Sequence, residues 1–223
     1  MKVRQISQQQ RRQVKFNWPF DKAVECFRQQ ALSRPDYDPA TMAVYGSLMA
    51  RGLVEMLQAV EREFGEKGQE VATRALVEVG RKAGEEMLRG VEFPPDMTPV
   101  ERASTFITWV NEVLYASVEE PSIDSEDACS FHIHWCPLQD IYAPLDCRIQ
   151  RYLVEGELQA AAKLMGDFQV AFDYGKPSGH PTCHFRLWRR KPGEKDAWNG
   201  YTQLINRKGL ERRGRREELG GQV

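Results

Sequence analysis

The sequence predicts an α+β fold: a helical N-terminal half packed on an antiparallel sheet, with one long helix in the C-terminal half. Apolar residues recur at three-and-four spacing from residue 21 to about 111, and then at two-residue spacing near 128–136, 168–174 and 182–188. The turn Gly175-Lys176-Pro177-Ser178-Gly179 joins the last two alternating runs, as an antiparallel hairpin requires. The chain's 223 residues are enough for a core that needs no disulfides. Helices followed by strands, rather than interleaved with them, place the chain in the α+β class.

Residues 1–20 are glutamine-rich and charged, and are expected as a flexible N-terminal arm. Residues 21–190 are expected as a single domain, helical over 21–112 with the sheet and site in 113–190, and 191–223 as a charged C-terminal tail. Asp21 can start a helix through Ala23, Val24, Phe27 and Leu32, which would bury Cys26, and Pro35 and Pro39 interrupt it. From Ala40 to about Phe64, Tyr45, Leu48, Met49, Leu53, Met56, Leu57, Val60 and Phe64 form an amphipathic stripe that reads as core. Gln69 to Leu88 repeats the pattern, and Gly80 with Gly84 leaves two bare backbone patches where another helix can approach. Thr98-Pro99-Val100-Glu101 is a helix start, with Thr at the N-cap, Pro at the first helical position and Glu three after the cap. Strands are expected over Leu114–Glu119, Ala128–Cys136, Asp167–Tyr174 and Thr182–Trp188, with a helix over Pro144–Met165 between the second and third.

Charge excludes some functions. Lys and Arg number 31 against 32 Asp and Glu, so no global field favours nucleic acid or an anionic membrane. No apolar run reaches the roughly 20 residues of a membrane helix, and Met1-Lys2-Val3-Arg4-Gln5 has no signal-peptide core. The expectation is a cytoplasmic protein, with a small-molecule substrate and room for a homodimer. Five cysteines without paired spacing argue for thiols that are packed, ligating or catalytic.

All four histidines lie in Ser130–Arg189. On a regular strand His132, His134 and Cys136 would share one face, opposite Phe131, Ile133 and Trp135. Cys129 falls on the other parity. His132, His134, Cys136, Cys147 and Cys183 are the donor types that zinc or iron would take, and a metal-bound water could attack an amidine-like ring carbon. Alternatively Cys136 is a thiolate nucleophile activated by His134 or His184, with Asp140 orienting the imidazole. Arg148 and Arg186 could clamp a substrate carboxylate, and Tyr142 could line its pocket. The plainest alternative is that the thiols are small core hydrophobes and the histidines are satisfied locally.

Cys136-Pro137 ending a strand, Cys147 opening a helix that contains Gly156, the Gly166-Asp167 junction and Cys183-His184-Phe185 together resemble the L-2-amino-thiazoline-4-carboxylic acid hydrolase family. The helical first half agrees in architecture. The 4-vinyl-reductase domain, a small-molecule-binding module, is similar at a greater distance. The resemblance implies an enzyme that hydrolyses a small nitrogen-containing ring or cyclic amide. Its alternative is a non-catalytic ligand-binding or metal-sensing module.

Overall fold

The computed structural model describes residues 4–218 and is α+β, as the periodicity predicts. A short helix α1 (Gln8–Arg11) and α2 (Asp21–Phe27) precede α3 (Thr41–Leu88) and α4 (Pro99–Val113). The strands β1 (Val118–Ile123) and β2 (Ala128–Trp135) follow, then α5 (Arg148–Met165), β3 (Phe168–Tyr174), β4 (Cys183–Arg189) and α6 (Ala197–Glu218). The four strands form one antiparallel sheet in the order β1-β2-β4-β3. Among the described residues no helix is long and apolar enough to cross a membrane.

Helix α4 starts at the expected capping box, where Thr98 and Glu101 satisfy each other's backbone N–H groups. Its Val100, Ala103, Ile107 and Val110 are buried against the sheet, alongside Cys129, Phe131, Ile133, Val170, Phe185 and Leu187. These strand residues define the inner face. Helix α5 also covers that face through Val154, Ala161 and Met165, and α3 packs behind it as a further layer. The two helices meet where glycine removes the side chain: a Cβ on Gly80 would lie 2.0 Å from the Leu153 carbonyl oxygen, and one on Gly156 2.0 Å from that of Val77. The close approach expected at Gly80 is made by α5.

Helix α3 is broken at Gly65, whose φ of 59° and ψ of −139° belong to a region open in practice only to glycine. A Cβ on Gly68 would lie 2.8 Å from the carbonyl oxygen of Val60, eight residues earlier. Along a straight helix that separation is ~12 Å, so the chain doubles back into two arms, 41–64 and 66–88. The stripe expected to be core on the first arm is largely not. Leu57 is buried and Leu53 partly so, near Tyr142 and Ile149, but Tyr45, Leu48, Met49, Met56 and Phe64 are exposed, as is Cys26. The stripe is wider than the single surface the body offers it.

Strand β1 begins four residues later than expected, because Leu114 caps α4 and Ala116 takes a φ of 46° in the turn. It carries Pro121, which an edge strand tolerates. The expected N-terminal arm is docked over residues 5–14. Gln5 exchanges hydrogen bonds with the backbone of Ile123 on that edge, at 2.7 and 3.0 Å, while Ile6, Arg11 and Val14 are buried. The expected solvent-facing tail is the helix α6 up to Glu218, seated by Ile205, by Gly209 against the Arg148 guanidinium and by the Asn206 carbonyl, which accepts from Gln69. Its few docking residues are hidden in a sequence dominated by charge. Residues 1–3 of the arm and 219–223 of the tail lie outside the described residues.

Candidate active site

Pairing of β2 with β4 sets Ile133 opposite Cys183 and His132 opposite His184. Side chains directly opposite share a face, so Cys183 joins the inner face and both imidazoles the outer one. The shared face expected for His132, His134 and Cys136 does not form. Val118 pairs with Trp135 and Glu119 with Ile133, so His134 is an extra residue, a β-bulge. The bulge reverses the alternation beyond it, and the chain leaves the strand at Cys136-Pro137 with the thiol turned inward.

On the inner face Cys136, Cys147 and Cys183 line one cavity of about 90 Å³, with Tyr115, Tyr142 and Phe172 among its other walls. This exceeds the space one water needs by several-fold. The Cys136 sulfur accepts the Leu138 backbone N–H at 3.4 Å, and the Cys183 sulfur accepts that of Lys176 at 3.3 Å. Burial pushes the Cys136 thiol up, opposed by the peptide N–H groups of Leu138 and Gln139 and by the charge of Lys176. Cys147, the N-cap residue of α5, is pushed to about 12 by burial and by the other two thiols. Burial likewise raises the Tyr142 phenol to about 12.

One wall residue, Tyr115, and the carboxyl behind it were not among the expected ones. The Tyr115 hydroxyl donates to Glu157 Oε1 at 2.8 Å, and Glu157 is 1% exposed. Desolvation lifts its carboxyl to about 8, so it holds a proton at neutral pH. Its other oxygen, Oε2, has no hydrogen-bond partner among the described residues. A signal for Glu157 was present: it sits eight residues after Ile149 and next to Gly156, a charge inside the buried stripe of α5. Tyr115 lay in a segment read as strand.

A second cavity, of about 350 Å³, adjoins the first across Cys147, Phe172, Pro177 and Cys183, and is lined by Arg151 and Lys208. Burial brings the Arg151 guanidinium down to about 10, and it lies 3.6 Å from the centre of the Tyr201 ring. Arg148 reaches this cavity too but is committed to a buried pair with Glu61, at 2.6 and 2.7 Å, that ties the first arm of α3 to α5. It holds the fold and is not a free clamp.

The outer face collects the imidazoles. The His132 and His184 rings stand 4.4 Å apart, and His184 Nδ1 lies 2.7 Å from Asp173, which also takes two hydrogen bonds from Arg186 at 2.9 Å. Asp173 alternates to this side after the inward Phe172, and a second bulge in β3 brings Tyr174 there as well, opposite His184. His134 is exposed, 3.4 Å from Glu120, and Asp140 is exposed and outside the cavity lining. His184 and His134 are therefore separated from Cys136 by the sheet, Asp140 orients neither, and Arg186 faces away from the cavity. Tyr142 lines the cavity as expected. With imidazoles on one face and thiols on the other, the zinc or iron donor set is not assembled. Among the described residues no group of three or more His, Cys, Asp or Glu is placed to hold a metal ion.

Residues 46–187, which span β1 to β3, most of β4 and the cavity lining, match the model of the L-2-amino-thiazoline-4-carboxylic acid hydrolase family. A protein of Archaeoglobus fulgidus, described as uncharacterized, is 42% identical over 202 residues, covering 87% of this chain and 89% of that protein. The chain belongs to this hydrolase family.

Proposed function

From that membership, we propose that the protein opens a small nitrogen-containing ring bearing a carboxylate, of the thiazoline-carboxylate type, in the three-cysteine cavity. The observation that carries the reading is a thiol set on peptide N–H groups, in the same dry cavity as a phenol backed by a protonated carboxyl. Cys136 is the nucleophile. Its thiolate is stabilised by the Leu138 N–H and attacks the amidine-type ring carbon, forming a C–S bond. The thiol proton passes to the amidine nitrogen as the C–S bond forms and the C=N bond becomes single. The ring nitrogen, or the ring sulfur of a thiazoline, then leaves with a proton from the Tyr115 hydroxyl, which is replenished from Glu157. Water then adds to the same carbon and expels the Cys136 thiolate, completing hydrolysis. The substrate carboxylate points into the adjoining cavity, toward Arg151 and Lys208.

Ring opening of 2-aminothiazoline-4-carboxylate, followed by chromatography, tests this in the full chain. Cys136→Ala is expected to lower kcat by about a thousandfold or more, and iodoacetamide is expected to label Cys136 in competition with substrate. If the wild type binds the ring compound without turning it over, and Cys136 resists labelling, the ligand-binding reading replaces the hydrolase.

A further inference from the structure

We propose that the exposed face of the first arm of α3 receives a second copy of this chain, packed antiparallel about a twofold axis near Leu53. Met42, Tyr45, Met49, Gly52, Met56, Ala59 and Glu63 follow each other at alternating spacings of three and four, and every one of them is exposed. Ala50, Val54, Leu57 and Glu61, on the opposite side of the same arm, face the body of the molecule and are buried. The arm therefore carries two seams, and only one is used within the chain. The unused seam is flanked by Val44 and Leu48, 72% and 62% exposed. An apolar strip ~26 Å long, from Met42 to Ala59, is more than a lone protein usually leaves in water.

Gly52 stands at the centre of this strip, and a Cβ there would meet nothing within 4 Å. Glycine in mid-helix costs about 1 kcal/mol relative to alanine, so a bare backbone suits a place where another backbone comes close. The second arm of α3 shows that use within the chain, at Gly80 and Gly84 against α5. The charges select the partner and its direction. Arg51 and Glu55 are both exposed on one flank of the strip, four residues apart and symmetric about Leu53. In an antiparallel pair each flank meets its own copy, which sets Arg51 opposite the second copy's Glu55 and the reverse. In a parallel pair the same flank would meet the Leu53 and Val60 side, placing charges against aliphatic side chains.

Sedimentation equilibrium of the full chain from about 1 to 100 µM is expected to give twice the 25.7 kDa chain mass at the upper end. Gly52→Arg fills only open space in the monomer, so it should keep the native circular dichroism and thermal transition while weakening association at least tenfold. Arg51→Glu should weaken association roughly tenfold. The double variant Arg51→Glu/Glu55→Arg should restore it to within about twofold. A wild type that stays monomeric at 100 µM, including one that instead co-floats with lipid vesicles, overturns the proposal. A dimer indifferent to Gly52→Arg, or a double charge swap that fails to restore association, overturns it as well.

Discussion

The two faces of the sheet sort the polar residues by kind and treat their protons in opposite ways. Inside, desolvation raises Cys136, takes Cys147 to about 12 and takes Glu157 to about 8. Outside, Asp173 is lowered, first by its hydrogen bonds from Arg186, and water screens the group. Among the described residues, the carboxyl raised to about 8, that of Glu157, lies on the inner side. His132, His134 and His184 attract the eye in the sequence, yet they stand on the face of the sheet away from the cavity.

The contrast can be broken from the inner side first. Gly156→Leu drives a side chain into the Val77 carbonyl and must displace α5 from α3, so a loss of about 3 kcal/mol or more is expected in urea unfolding, with the cavity lost too. Glu157→Gln should lower kcat about a hundredfold while leaving Cys136 alkylation intact. In the wild type, kcat should fall as pH rises through about 8, where Glu157 gives up its proton.

Stability gives an independent reading of the same group. Between the ordinary value of 4.5 and about 8 the unfolded chain has released this proton and the folded chain has not. Unfolding therefore becomes easier as pH rises through that window, and the stability from this group, complete below about 4.5, is gone above 8. Glu157→Gln should remove a decline of a few kcal/mol, read as the difference between variant and wild type at pH 5 and 8.5.

Smaller effects sharpen the comparison. Lys208→Ala should raise KM several-fold with kcat nearly unchanged, because it offers the substrate carboxylate an exposed charge and no chemistry. His184→Ala should cost no more than about 1 kcal/mol and change turnover by less than about threefold. A loss with His184→Ala as large as with Cys136→Ala would erase the distinction between the faces.

Local rules made much of the fold legible. The capping box at Thr98, the glycines of the second arm and the alternation in β3 each depend on near neighbours, and each appears where the sequence puts it. The break near Gly65 was also visible, as the gap between two helical patterns. The first-arm stripe misled because a three-and-four pattern announces a surface to be covered and says nothing of what covers it. Arg148 misled in a similar way, since its partner Glu61 is 87 residues distant and reaches it only through the Gly65 reversal. At the candidate site Cys136, Cys147, Cys183 and Tyr142 were found by residue type, but their grouping with His132 and His134 rested on unbroken alternation. A bulge depends on how two strands pair, which residue order alone does not state.

That bulge makes the protein's chemistry tolerant of a kind of genetic change distinct from substitution. Exchanging one side chain for another at position 134 leaves two residues facing one, and Cys136 stays inward. Loss of the single codon for His134 would remove the extra residue and the bulge together, so Trp135 would follow Ile133 in plain alternation and Cys136 would stay inward, with the pairing of β2 and β4 intact. Within this lineage, a one-residue gap at position 134 therefore does not by itself move the reactive thiol to the other face of the sheet.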